Sequence, residues 1–194
     1  MKKISINKDS VKLVVILSCI ALVSSLLLAG INLFTKVDEE AKLREKIGEV
    51  YESPLTEETF DLSGYDNIPK AEILNMFRTE DGAVIVLSKS TNCYNAGTGI
   101  SLLVVFKGND IVKIESYSHG ETPGLGTNAL TESYLARYEA LDVTDFQIEG
   151  VMGDSPIGDK TVEKYTGATK SSNGVKDAVT NAVRAYVKLA KEVA

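Results

Sequence analysis

The residues best suited to chemistry lie just before the last helical stretch of the chain. In "EKYTGATKSS", Glu163 to Ser172, two threonines, Thr166 and Thr169, flank the slim pair Gly167 and Ala168, and Lys170, Ser171 and Ser172 follow. Residue type alone allows two uses. One is a turn leading into a helix, where hydroxyls satisfy orphan backbone amides. The other is an anion site, where exposed amides, hydroxyls, a lysine and a helix start converge on a phosphate. No Walker lysine motif and no GxGxxG accompanies it, so nucleotide hydrolysis has no support. A second stretch, "HGETPGLG" from His119 to Gly126, joins a carboxylate and a hydroxyl to a loop. Pro123 restricts the backbone there, and Gly124 and Gly126 permit close approach.

Other chemistries are excluded by composition. The chain has one histidine, His119, and two cysteines, Cys19 and Cys93. These are too few for a zinc site of the usual ligand set or a protein-ligated iron–sulfur cluster, so no metal centre is expected. A catalytic triad could form only around His119, which reads as a surface or hairpin-end residue. Cys19 sits inside a lipid-length apolar run, so a disulfide with Cys93 is not expected. Cys93, in "STNCYNAGTG", reads as a small buried residue. A net charge of -6 lacks the basic footprint of a nucleic-acid partner.

The elements that position these residues follow from patterning. Leu13 to Ile31 carries no charge and is close to the roughly 20 residues that cross a hydrocarbon core. Lys2, Lys3, Lys8 and Lys12 precede it; Lys36, Asp38, Glu39 and Glu40 follow. This predicts an uncleaved single-pass anchor in the cell membrane, with a cytoplasmic N-terminus and an extracytoplasmic main domain. Ser24, Ser25 and Gly30 either aid packing against other membrane helices or are ordinary small residues of the span. Thr35 to Tyr51 reads as an amphipathic helix, and Glu52 to Pro69 as a loop. Gly82–Ser90 is a β-branched strand. Ile100–Phe106 and Ile111–Tyr117 form a hairpin about a turn at Lys107–Asp110. In the second arm Ile111, Lys113, Glu115 and Tyr117 alternate with Val112, Ile114 and Ser116, which predicts one covered face. A short helix is expected over Thr131–Tyr138 and a strand over Asp145–Met152. A final helix is expected from about Asn173, capped by Ser171, Ser172 or Asn173, with an apolar stripe of Val175, Val179, Ala182, Val183, Tyr186, Leu189, Ala190 and Val193. The fold class is α+β: one transmembrane helix, then a single domain with a mostly antiparallel sheet and packed helices. The predicted divisions are 1–12 cytoplasmic, 13–34 transmembrane, 35–69 juxtamembrane helix and linker, and 70–194 the extracytoplasmic domain.

"TGATKSS" ahead of an Ala/Val-rich helix resembles the flavinylation motif of the FMN-binding domain family, and "HGETPGLG" resembles that family's Glu-Thr-Pro-Gly-Leu-Gly loop. The family includes the G subunit of the Rnf complex and the C subunit of the sodium-pumping NADH:quinone reductase. The family's aspartate three residues before the Ser/Thr is Glu163 here, with Asp159 farther upstream. The resemblance implies that a separate magnesium-dependent flavin transferase moves FMN from FAD onto Thr169, giving a covalent phosphoester. It implies a cofactor-binding set of Thr166, Gly167, Ala168, Thr169, Ser171, Glu121, Thr122, Gly124 and Leu125, with Leu125 against the ring. The eight tyrosines read mostly as packing residues, with Tyr94 and Tyr165 placed where they could approach a flavin. The implied role is an electron relay in an ion-translocating ferredoxin:NAD oxidoreductase complex of the Rnf type, among other membrane and iron–sulfur or flavin subunits. Short length and a single span favour the G subunit over the longer reductase C subunit. A membrane-anchored module without flavin and a standalone extracytoplasmic reductase are the alternatives.

Overall fold

The computed structural model describes residues 8–34, 39–65, 68–139, 141–143 and 162–193. By contacts the chain divides into two units, Met1–Leu43 and Arg44–Ala194. The first is built on α1, Lys8–Phe34. Its 27 residues at about 1.5 Å each give a rod of about 40 Å, longer than the roughly 30 Å hydrocarbon core. Within it Val11–Leu28 has a mean hydropathy of 2.6 and is wholly unburied. It is a single apolar N-terminal helix of the kind that anchors a chain in a membrane. The helix starts earlier than the expected Leu13. Ser25 donates its hydroxyl to the Leu22 carbonyl at 2.9 Å, so that group is satisfied within the helix.

α2, Glu39–Val50, runs into the second unit. From Arg44 onward it is fixed to the domain. The Arg44 guanidinium lies 5.6 Å from the centre of the Phe77 ring, Ile47 is fully buried, and the Tyr51 hydroxyl donates to Asp81 at 2.7 Å.

The sheet is an antiparallel meander in the order β1 (Ala71–Arg78), β2 (Val84–Ser90), β3 (Ile100–Lys107), β4 (Asp110–His119). Three of these match expectation, as does the tight turn between Lys107 and Asp110, where Gly108 takes φ +62°. β1 lies just past the stretch read as a loop, and its pattern is broken by an extra residue. The register shifts between Ile73 and Asn75, leaving Leu74 out of the pairing and 41% exposed. Ile73 and Met76, three apart, therefore reach the same core cluster.

The same device corrects the reading of β4. The register shifts between Val105 and Phe106, so that Val112 is the extra residue and is 39% exposed. Ile111 and Ile114 are both buried in one cluster instead of facing opposite ways. The expectation of one covered face also fails at the centre of the sheet. Leu102, Val104 and Phe106 join the main core, yet Leu103, Val105 and Ile85 of the other parity are fully buried as well.

The main core lies between the sheet and α4, Thr169–Val193. Val175, Ala178, Val179, Ala182 and Val183 are all fully buried. Burying a valine-sized side chain contributes about 1.5–3 kcal/mol, so this stripe outweighs any single polar contact in seating the helix. Of the expected stripe, Ala190 is exposed and Tyr186 half-buried, while Ala178 and Ala185 are buried in their place. Phe106 and Tyr186 stack with centroids 4.5 Å apart, and the Tyr186 hydroxyl donates to the Gly108 carbonyl at 2.7 Å. α3, Glu132–Glu139, buries Tyr134, Leu135 and Tyr138. The strand expected at Asp145–Met152 lies outside the described residues.

Candidate functional site

The site forms where the turn before α4 meets the loop after β4. Ala168 donates its amide to the Tyr165 carbonyl at 2.9 Å, closing a turn whose third residue is Gly167 at φ +87°. That is the left-handed value a type II turn needs at this place, and glycine reaches it without strain. α4 then begins at Thr169, four residues before the expected Asn173, and its first backbone bond runs from the Ser172 amide to the Ala168 carbonyl at 2.9 Å. The amides of Thr169, Lys170 and Ser171 precede that bond and form the positive end of the helix.

The hydroxyls expected to cap the helix lie inside its first turn. Ser172 is 1% exposed; its Oγ accepts from the Tyr165 amide at 2.9 Å and donates to the Ala168 carbonyl at 3.0 Å. Ser171 is 2% exposed, and its Oγ donates to Oε2 of Glu121 in a short hydrogen bond. Thr166 and Thr169 are exposed.

Glu121 joins three segments. Its other oxygen, Oε1, accepts from the Asn95 amide at 3.0 Å, and its own amide donates to Nδ1 of His119 at 3.3 Å. The residue is 4% exposed. Desolvation pushes its carboxyl upward, but the Asn95 amide, the Ser171 hydroxyl and the Cys93 thiol together carry it below the usual glutamate value. It is therefore a buried carboxylate. Next to it Gly126 has no room for a side chain: a Cβ there would collide with Glu121 Oε2 and stand 2.8 Å from Ser171 Oγ. Gly124, at φ +73°, shapes the loop, and its amide donates to Thr127 Oγ1 at 2.9 Å. Cys93 is buried as expected, and desolvation first, then Glu121, pushes its thiol up to about 11.

Between these segments lies a cavity of about 400 Å³, within the usual range for small-molecule sites of about 300–1,000 Å³. Gly167, Ala168, Thr169, Lys170 and Ser171 line it from the turn and α4; Glu121, Thr122, Leu125 and Gly126 line it from the loop; Tyr94 completes it. Two motifs far apart in sequence thus meet at one cavity. Thr166 and Gly124 do not line it. Tyr165 does not line it either; its ring packs edge-on against Tyr134 at 6.1 Å. Both oxygens of Glu121 and the hydroxyl of Ser171 are already engaged within the protein. Asn95 has no signal in the sequence, since its partner is chosen only by the fold. His119 ends β4 and is exposed, and no cluster of three or more metal-ligating side chains occurs among the described residues.

Residues 96–184 match the family model of the FMN-binding domain. The chain is also 30% identical over 99 residues to the C subunit of the Na(+)-translocating NADH-quinone reductase of Chlamydia muridarum. It is 27% identical over 99 residues to the protein of the same name in Chlamydia trachomatis serovar D. Each match covers 41% of this chain and 31% of the relative, so the chain spans about a third of the length of these relatives. Residues 96–184, which contain both motifs, are thus similar to FMN-binding domains.

Proposed function

We propose that this protein is a membrane-anchored electron-relay subunit of a multi-subunit ion-translocating redox complex, carrying FMN esterified through its phosphate to Thr169. The observation that carries the reading concerns the four hydroxyls around the start of α4. Ser171 and Ser172 are buried and bonded, and Thr166 does not reach the cavity; Thr169 alone of the four is both exposed and cavity-lining.

The residues present fit the group. A phosphate at Thr169 would stand at the N-terminal end of a 25-residue helix, beside Lys170 and the first-turn amides. Attachment would join Thr169 Oγ1 to the FMN-side phosphorus of FAD as the pyrophosphate bond breaks, with AMP as the leaving group and the hydroxyl proton passing to a base. His119 Nδ1 already accepts the Glu121 amide, and both Glu121 oxygens are engaged. The resemblance to the FMN-binding domain family implies that a separate flavin transferase supplies the base. Once held, the flavin supplies one- and two-electron redox chemistry, while this chain orients it and sets the polarity around it.

Both relatives are C subunits of a Na(+)-translocating NADH-quinone reductase. They favour that kind of complex over the Rnf-type G subunit expected from chain length and span number. The partners are then the other membrane and redox subunits of such a complex. The lysines ahead of the apolar run support a cytoplasmic N-terminus and an extracytoplasmic domain.

The test is the intact mass of the full chain purified from its native membrane. A gain of one FMN less one water, localised to the Thr169 peptide and absent in Thr169→Ala, is expected. Unmodified native protein, with an active transferase in the same cell, overturns the reading. Co-purification of other redox subunits tests the relay role separately.

A further inference from the structure

The loop between β2 and β3 holds an aromatic side chain that stands largely exposed and makes no ring contact among the described residues. Tyr94 is 73% exposed, yet the backbone that carries it is tied on both sides. Asn92 donates its side-chain amide to Asp177 at 2.7 Å. The Asn95 amide donates to Glu121 at 3.0 Å, its side chain to the Gly120 carbonyl at 3.0 Å, and its own carbonyl accepts from Gly99 at 2.8 Å. An uncovered tyrosine on so firmly held a loop points to a ligand surface rather than to chain mobility.

Tyr94 lines the same cavity as Thr169. That cavity has two kinds of wall. One is hydroxyl, amide and lysine at the start of α4. The other is apolar, from Tyr94 and from Leu125, which is 61% exposed. The Glu121 carboxylate ties both: Oε1 holds the amide next to Tyr94, and Oε2 holds Ser171, two residues beyond Thr169. A ligand matching both walls has an anionic group at one end and a flat apolar ring system at the other.

We propose that Tyr94 is the residue that stacks on the ring system of the group attached at Thr169, on the loop that Glu121 fixes. The inference rests on the proposed FMN attachment and adds to it a positioning and shielding residue. Offset stacking of aromatic faces favours this arrangement. Leu125 gives the ring a second apolar contact. Tyr165, although closer to Thr169 in sequence, is engaged with Tyr134 and stays outside the cavity.

Contact with an electron-rich phenol quenches flavin emission, which gives a readout independent of electron transfer. The full chain, Tyr94→Leu and Tyr165→Leu would each be co-produced with a flavin transferase, purified in detergent and weighed intact. Emission would then be compared between the native protein and the same sample in denaturant. A wild-type mass without FMN overturns the attachment reading, and this inference with it. With FMN present on all three, native wild-type emission several-fold below its denatured value is expected. Tyr94→Leu recovers most of that loss, and Tyr165→Leu keeps the wild-type ratio. An unchanged ratio in Tyr94→Leu, or an equal recovery in Tyr165→Leu, overturns the assignment of Tyr94 while leaving the attachment intact.

Discussion

The Ser171 hydroxyl donates to the Glu121 carboxylate across a sequence separation of 50 residues. This bond joins the first turn of α4 to the loop after β4, and the Asn95 amide on the other carboxylate oxygen brings in a third segment. Glu121→Ala would leave the buried Ser171 hydroxyl and the part-buried Asn95 amide without this acceptor. Hydrogen bonds to a charged group contribute about 1.5–3 kcal/mol, so a fall of roughly 5 °C in melting temperature is expected. Glu121→Gln, which keeps an acceptor for Asn95, should recover much of it. Scanning calorimetry of the full chain in detergent checks both.

The same carboxylate has a pH signature. Its folded pKa lies below the unfolded value, so its contribution is present above the unfolded pKa and is lost as pH falls through the folded one. The stability gap between wild type and Glu121→Gln should stay constant near neutrality and shrink below about pH 4. A gap independent of pH down to about pH 3 would remove Glu121 as an ionised latch. Denaturant titrations at several pH values supply the measurement.

Thr169 and Ser172 should separate loading from folding. Thr169 is exposed, and surface substitutions usually change stability by less than about 0.5 kcal/mol. Thr169→Ala is therefore expected to melt with the unloaded wild type while abolishing flavin attachment. Ser172→Ala loses a bond to the Tyr165 amide and one to the Ala168 carbonyl, and should cost about 1–2 kcal/mol. Intact mass and melting temperature, taken on the same preparations, distinguish the two effects.

Two glycines of the site should fail for different reasons. Gly167 has open space around its Cβ position but φ +87°, so Gly167→Ala brings backbone strain alone, of order 1–2 kcal/mol. Gly126 has no positive φ but no room. Gly126→Ala must push Glu121 from Ser171 and should cost about 1–3 kcal/mol. The prediction is checked by combining each with Glu121→Ala: the Gly126 effect shrinks in that background, and the Gly167 effect adds unchanged.

A second acidic group responds to pH far from the site. Lys107 first, then Thr79 and Tyr51, hold the Asp81 carboxyl well below the usual aspartate range. Its contribution is present above the unfolded pKa and fades only as pH falls into strong acid. Asp81→Asn should destabilise the protein at neutral pH, with the difference narrowing below about pH 4. Equal melting at neutral pH would show the Asp81–Lys107 pair to be inert, as many exposed ion pairs are.

The strands are legible where β-branched and apolar residues run continuously between turn residues, as in β2 and β3, and where Gly108 marks the turn. β1 escapes the pattern and β4 misleads it for one shared reason. A bulge at Leu74 or Val112 shifts parity, and nothing in side-chain type announces an unpaired residue. The sequence places the start of α4 too late because serine and threonine suit both a cap and a first turn. Glu121 and Tyr165, which are partners only in three dimensions, settle the choice. The motifs at Thr166–Thr169 and Glu121–Gly126 are visible as residues. Their meeting at one cavity, and the arrival of Asn95 and Tyr94 beside them, depend on the path of the chain.

Thr169 is the first residue of a helix whose far half is pinned to the β3–β4 turn by Tyr186. A group bonded there has no hinge behind it beyond the few torsions of its own linkage. Were FMN carried there as proposed, donor and acceptor proteins would have to bring their centres to within tunnelling range by moving past the domain, or the domain would have to travel as one body. The reach of such a carrier would be set by travel of the whole domain, not by any swing of an arm.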